Sequence, residues 1–355
     1  MGTRKRLRQW GIALPGLPPG PLNAITDVPG VEVGHCTLIQ GESIRTGVTA
    51  ILPHGGNLYQ EKVPAAVEVI NGFGKAVGLS QIAELGQIET PIILTNTLSV
   101  GAALDALVEY KLERNPRIGR EQATVNGVVA ECNDGKLNDI RARAIGREQV
   151  RAAIAAAHRG LPLEGSVGAG TGMTSFGCKG GIGTSSRKAE DYTVGVLVLS
   201  NFGLWPQLKI AGVPVGRLLA RPAGTEEKGS IVMVVATDAP LDSRQLKRVA
   251  KRTGFGLART GSVAGHGSGD YALAFSTANR QSADETGLIS ASRLADSRLG
   301  PLFQAAVEAT EEAILNALFV ADDLVGREGY VSPALPIASV LETLNNYHPV
   351  DKGEE

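Results

Sequence analysis

Apolar residues gather along the chain in short, dense runs separated by polar or glycine-containing breaks. "GVTAILP" (47–53), "AAVEVING" (65–72), "TPIILTNT" (90–97), "VNGVVAEC" (125–132), "YTVGVLVLSNFG" (192–203), "GSIVMVVATDAP" (229–240) and "DYALAFST" (270–277) read as strands. Several of them are apolar at consecutive positions, the pattern of strands buried on both faces. Helical spacing marks "GAALDALVEYKLER" (101–114), "REQVRAAIAAAHRG" (147–160), "DSRQLKRVAKRTGFGLARTG" (242–261) and "PLFQAAVEATEEAILNALFVA" (301–321). Asp242 is placed to cap the third of these. No Ser/Pro-rich linker separates two halves, so the pattern predicts one domain over 1–355, with helices covering layered sheets.

Composition narrows the function more than the fold. With 43% hydrophobic and 20% charged residues among 355, the chain has the balance of a globular enzyme. A net charge of −1 offers no global field to recruit nucleic acid or a membrane surface. The basic group Arg4, Lys5, Arg6 and Arg8 reads as a flexible solvated arm. "QWGIALPGLPPGP" after it is broken by proline and glycine, so no signal peptide is expected, and no apolar run reaches membrane-spanning length. Cys36, Cys132 and Cys178 are odd in number and widely spaced, which suits a reducing cytoplasm. The histidines (35, 54, 158, 266 and 348) never fall at i, i+4, so no metal-binding His pair on a helix is expected.

Forty-five glycines are the outlier, and they cluster in "GAGTG", "KGGIG" and "GHGSGD". In "AGHGSGDYALAF" (264–275) Ser268 stands between two glycines and runs into an apolar strand. The flanks exclude a nucleophile elbow, because His266 and Asp270 occupy the positions where that motif has glycine. A glycine-rich turn before a strand is the plain reading. The chemical reading is an N-terminal nucleophile. If the Gly267–Ser268 peptide were cut, Ser268 would become a chain terminus anchored in a sheet. Its α-amine, ordinarily titrating at about 7.7–8.0, would serve as its own base. The missing Cβ at Gly267 leaves its carbonyl open to the Ser268 hydroxyl.

Ordered segments along most of the chain resemble the L-aminopeptidase/D-esterase family, which includes the β-peptidyl aminopeptidases. They run from "GPLNAITDVPGVEVGH" (20–35) through "ECNDGKLNDI", "VGAGTGM", "KGGIGTSSR" and "GSGDYALAFSTANR" to "LFQAAVEATEEAILNAL" (302–318). The resemblance implies a four-layer αββα sandwich, like that of N-terminal-nucleophile hydrolases but differently connected. It also implies a precursor cut into 1–267 and 268–355 that stay together, a homotetramer, and no metal or organic cofactor. By the same resemblance Ser268 is the nucleophile, Gly267 precedes the cut, and Asn201 serves the oxyanion. Thr310 and Glu312, from a Ser/Thr-x-Glu pair, would stand near the nucleophile. Each has a plainer alternative. Asn201 could only support the turn before Gly203, and Glu308, Glu311 and Glu312 could form a solvated helix face. Lys179 could be catalytic or could brace its loop. The family also has an active-site tyrosine, which is not assigned to a residue here; Phe176, an aromatic candidate in "MTSFGCKGG", lacks a hydroxyl.

The expected activity is removal of residues from the free amino end of short peptides, amides or esters. Asp134, Asp139 and Glu312 are the carboxylates considered for the substrate amine. An endo-acting amidase on oligoamides and a non-catalytic binding scaffold are the alternatives.

Overall fold

In a computed structural model the described residues are 4–221 and 229–347, so His348 lies outside them. The first sheet contains β1 (Glu32–Gln40), β2 (Ile44–Leu52), β4 (Ile92–Asn96) and β5 (Val128–Cys132), in that order. The second has its five long strands in the order β3 (Glu61–Gly72), β9 (Gly269–Ser276), β8 (Ser230–Thr237), β7 (Tyr192–Asn201), β6 (Gly181–Ala189), with the two-residue strands Gln281–Ser282 and Gln87–Ile88 both paired to β3. Neighbours are antiparallel except β4 with β5 and β8 with β9. Each parallel pair needs a crossover. Helix α1 (Val100–Arg114) connects the first pair, and α3 (Ser243–Ala250) with α4 (Thr253–Arg259) connects the second. Helix α2 (Arg147–Ala155) packs beside α1, and α5 (Gly300–Val320) lies on β6 and β7.

Three apolar layers hold these elements together. Between the sheets, Leu197, Leu199, Val232, Val234, Leu273 and Phe275 meet Ile92, Leu94, Val128 and Ala130. The alternate residues Val196, Val198, Met233, Val235, Ala272 and Ala274 face α5 and its neighbours. On the other outer side, Val48, Ala50, Ile93 and Val129 receive Leu107, Val150 and Ala153. Both faces of the central strands are therefore dry, which explains their unbroken apolar runs. Each buried Val, Leu, Ile, Met or Phe among them contributes about 1.5–3 kcal/mol of transfer free energy. Helix, sheet, sheet, helix is the expected αββα order. Among the described residues no helix is long and apolar enough to cross a membrane.

Several elements differ from the pattern reading. The helix expected over 242–261 breaks at Lys251–Arg252 into α3 and α4. Gly254 and Gly256 weaken helix preference there, and a Cβ at Gly256 would collide with Val307 O of α5. The helix from 147 ends at Ala155, and His158 then bridges to Val33 of β1. Strand β6, "GIGTSSRKA", carries too little apolar character to announce itself. A side chain at Gly183 would strike Ala313 O, so small residues are what let α5 lie on this strand. The N-terminal basic group is not a free arm. Leu7 is buried, Arg6 pairs with Glu164 at 2.7 Å, and Arg8 pairs with Glu312 at 2.7 Å.

Candidate active site

Register brings one row of residues to a common edge of the second sheet. Asn201 ends β7 opposite Ser230, Ser230 begins β8 opposite Gly269, and Gly269 begins β9 opposite Gly72. Ser268 stands just outside this row. A turn delivers it there, with Ser268 N donating to Gly265 O at 2.9 Å. Glycine at 269 relieves crowding, because a Cβ would come within 3.0–3.1 Å of the backbone of Phe73 and Gly74. Gly269 N in turn donates to Ser230 Oγ at 3.1 Å. Ser268 and Asp270 are buried, while His266 in the same turn is exposed.

Two side chains hold this turn. The Ser268 hydroxyl donates to Asp270 Oδ1 at 2.5 Å. Asn71, at the end of β3, directs its amide to Gly265 O at 3.1 Å, to His266 O at 3.0 Å and to Ser268 O. Phe73 N also donates to Ser268 O, at 3.2 Å. A register shift between Asp270 and Tyr271 against β3 re-aims the strand at this point. Tyr271 hydrogen-bonds Gly72 O at 3.3 Å, which places a tyrosine hydroxyl at the same strand edge.

Asn201 lies two strand spacings from Gly269, about 10 Å between backbones. Its Oδ1 accepts from Thr174 N at 2.8 Å and its Nδ2 donates to Asn133 O at 3.0 Å. The carboxamide thus ties the segment after β5 to the segment before β6. An amide nitrogen carries two hydrogens, so one donor remains beyond the bond to Asn133.

Thr310 and Glu312 are not brought to Ser268 by any hydrogen bond among the described residues. Thr310 Oγ1 donates back to Ala306 O at 2.7 Å within its own helix. Glu312 meets Arg187 at 2.6 Å, Arg8 at 2.7 Å and Asn23 at 2.6 Å. Arg187 pairs with Val194, and Gly181 with Ser200, so Arg187 sits six residues down β6 from the edge carrying Asn201. Six residues of strand span about 20 Å. The solvated-face reading also fails, because Glu308, Glu311 and Glu312 are all buried.

Other titratable groups lie near the strand edge. Lys179 is fully buried, and its ammonium donates to Gly170 O at 3.0 Å, Met173 O at 2.7 Å and Gly180 O at 2.8 Å. Burial pushes it down to about 7, against the opposing pull of Asp134. Burial pushes the Asp134 carboxyl up to about 7, while hydrogen bonds from Thr46 and Asn138 oppose the rise. Asp139 caps a single helical turn through Arg141 N at 3.2 Å. Glu131, which pattern reading passes over, is buried and accepts from Lys75 N at 2.9 Å and from Thr97 Oγ1. Cys132 reports the combined field: burial, then the charges of Glu131, Asp270 and Asp134, push its thiol well above the usual range. Phe176 packs edge-on against Phe202, with centroids 5.0 Å apart, as part of the core. A surface cleft of about 500 Å³ is lined by Gly261 and Val263 among others, and Ser268 is not part of its lining.

A four-layer αββα sandwich with Ser268 immediately before a central strand fits the class of N-terminal-nucleophile hydrolases. Residues 23–332 match peptidase family S58, and the chain belongs to that family. It is 42% identical to the beta-peptidyl aminopeptidase BapA of Sphingosinicella microcystinivorans, over 96% of this chain and 92% of the relative. The solved L-aminopeptidase D-Ala-esterase/amidase of Ochrobactrum anthropi superposes with a TM-score of 0.91 at 37% identity, covering 96% and 98% of the two chains. That structure is described as a new variant among the Ntn hydrolase fold. The PH0078 protein of Pyrococcus horikoshii OT3 superposes with a TM-score of 0.93 at 52% identity, over 97% and 100%. The chain is accordingly a hydrolase of an aminopeptidase family with the expected layered fold.

Proposed function

We propose that the chain is a self-processing serine aminopeptidase, cut between Gly267 and Ser268 into fragments 1–267 and 268–355. The observation that carries this reading is the placement of Ser268. It is buried, tied by its carbonyl to Asn71 and Phe73, and fixed at the first residue before β9. After the cut its nitrogen would be a free amine one bond system away from its own hydroxyl, the geometry an N-terminal nucleophile needs.

In turnover the neutral α-amine takes the Ser268 hydroxyl proton as Oγ attacks the substrate carbonyl. The proton then passes to the leaving amine, and water hydrolyses the acyl ester. Asn201, with its remaining amide hydrogen, is the proposed donor to the oxyanion. Thr310 and Glu312 take no step in this reading, since Glu312 is committed to Arg8, Arg187 and Asn23.

The substrates are short peptides, aminoacyl amides or esters with a free amino end. Beta-peptides are included, given the named activity of the BapA relative. The charges of Glu131, Asp270 and Asp134 all act on Cys132, and acidic groups collected in this way suit a substrate ammonium. The same reading keeps the two fragments together, assembles four copies, and places them in the cytoplasm, where three free cysteines are tolerated.

Denaturing electrophoresis with intact mass measurement tests the reading. The purified protein should run as two fragments whose masses correspond to 1–267 and 268–355. Ser268→Ala should remain one chain without aminopeptidase activity. A wild-type chain that stays whole yet turns over aminoacyl amides would overturn it.

A further inference from the structure

Self-processing poses a problem that turnover does not. Before the cut the Ser268 nitrogen is a peptide amide, which cannot act as a base, yet the Ser268 hydroxyl must still lose its proton. We propose that Asp270 is the base for this first reaction, so that precursor and mature enzyme use different proton acceptors at one nucleophile. The inference rests on the self-processing reading above.

The uncut geometry places the parts. Ser268 Oγ donates to Asp270 Oδ1 at 2.5 Å, at the short end of hydroxyl–carboxylate hydrogen bonds. Residues two apart in an extended segment share a face, so the contact is built into the strand rather than reached by a flexible side chain. Asp270 is paired on both sides, with Ile231 of β8 and Asn71 of β3, which fixes its backbone. Asn71 meanwhile grips the carbonyls of Gly265, His266 and Ser268, leaving Gly267 between two anchored points.

The step balances as follows. Asp270 accepts the hydroxyl proton while Oγ forms a bond to the Gly267 carbonyl carbon. The C–N bond to Ser268 then breaks, and the proton held by Asp270 goes to the departing nitrogen. The products are a Gly267–Ser268 ester and a free α-amine. Water hydrolyses the ester to the Gly267 carboxylate and restores the hydroxyl. No oxidant, reductant or further reactant enters.

The test follows conversion of the intact chain to fragments over time in wild type, Ser268→Ala, Asp270→Asn and Asp270→Glu. Circular dichroism melts run in parallel. Removing a general base costs about 10²–10⁴ in rate. Asp270→Asn should therefore be cut at least about 100-fold more slowly than wild type while melting cooperatively. Asp270→Glu, which keeps a carboxylate, should be faster than Asp270→Asn. Cutting of Asp270→Asn within a few-fold of wild type would overturn the inference while leaving self-processing intact. If Asp270→Asn does not fold, Asp270→Glu decides: folded and cut supports the base, folded and uncut overturns it. A wild-type chain that never cuts removes the self-processing reading and this inference together.

Discussion

Arg187 and Glu312 meet at 2.6 Å with neither side chain exposed to solvent, and Arg8 reaches the same carboxylate at 2.7 Å from the far end of the chain. Burial alone would raise the Glu312 pKa, but the Arg8 hydrogen bond and the Arg187 charge hold it below the usual carboxylate range. Removing one member of such a pair leaves a buried charge uncompensated, which costs about 3–5 kcal/mol. Glu312→Gln should thus lower the unfolding free energy at pH 7 by about that amount. A depressed folded pKa means this contribution is present above the unfolded value, about 4.3. It is lost as pH falls through the lower folded value. Urea titrations should show the gap between wild type and Glu312→Gln shrinking below about pH 4.3. Equal stability at pH 7 would assign the cluster no structural weight.

The role of Asn201 can be read from where the loss falls. Deleting one oxyanion donor lowers kcat by about 10²–10³. Asn201→Ala should lose turnover on that scale with KM little changed, measured with an aminoacyl p-nitroanilide. Its side chain also bridges Thr174 N and Asn133 O, so a melting curve belongs beside the kinetics. A loss of only a few-fold with a large drop in melting temperature would make Asn201 a brace.

How far the sequence could be read depends on how local each signal is. Strands such as 192–201 and 230–237 announce themselves because both faces are apolar, and helix 300–320 follows from periodicity. Strand β6 does not, because Gly183 and the serines after it are chosen for the close approach of α5, a contact from 130 residues away. The glycine flanks and the strand beyond are what single out Ser268 as the proposed nucleophile. Asp270 stood in the same motif with no role attached, since its contact with Ser268 depends on the backbone staying extended. Asn71 and Glu131 carried no local mark; only the pairing of β3 with β9, and the position of β5, puts them at the site. Glu312 went astray for the same reason, its partners Arg8 and Arg187 being remote in sequence.

Asp134 gives a pH signature of its own. Its carboxyl is pushed up to about 7 by burial, against hydrogen bonds from Thr46 and Asn138. A group whose folded pKa is raised contributes stability that is complete below its unfolded value, about 3.9, and lost as pH rises through the folded value. Wild type should therefore lose stability relative to Asp134→Asn between about pH 4 and pH 7. Lys179, pushed down to about 7 by burial, acts in the opposite sense above that pH, where the unfolded chain binds the extra proton. Comparing the two proteins at each pH separates them. A constant difference from pH 5 to pH 8 would show that Asp134 ionises normally.

Substrate charge is the sharpest discriminator among activities. With the Ser268 α-amine as base, only its neutral form works, so kcat/KM should rise with pH through a value near 7.7–8.0, or lower where burial disfavours the ammonium. The substrate amine must stay charged to pair with the carboxylates whose charges act on Cys132. A β-aminoacyl p-nitroanilide is the better probe, because its amine lies farther from the carbonyl and titrates higher, leaving the rising limb to the enzyme. Acetylating that amine removes the charge and leaves buried acceptors unpaired, at a cost of about 1–3 kcal/mol or more, roughly a 5- to 150-fold fall in kcat/KM. The measurement compares the free and acetylated substrates from about pH 6 to pH 10, a window that brackets the α-amine. Equal rates across that range would remove the aminopeptidase assignment and favour an endo-acting amidase. A rate loss confined to the acetylated substrate, with the free one rising through the α-amine value, would tie recognition and base to the two ends of the same site.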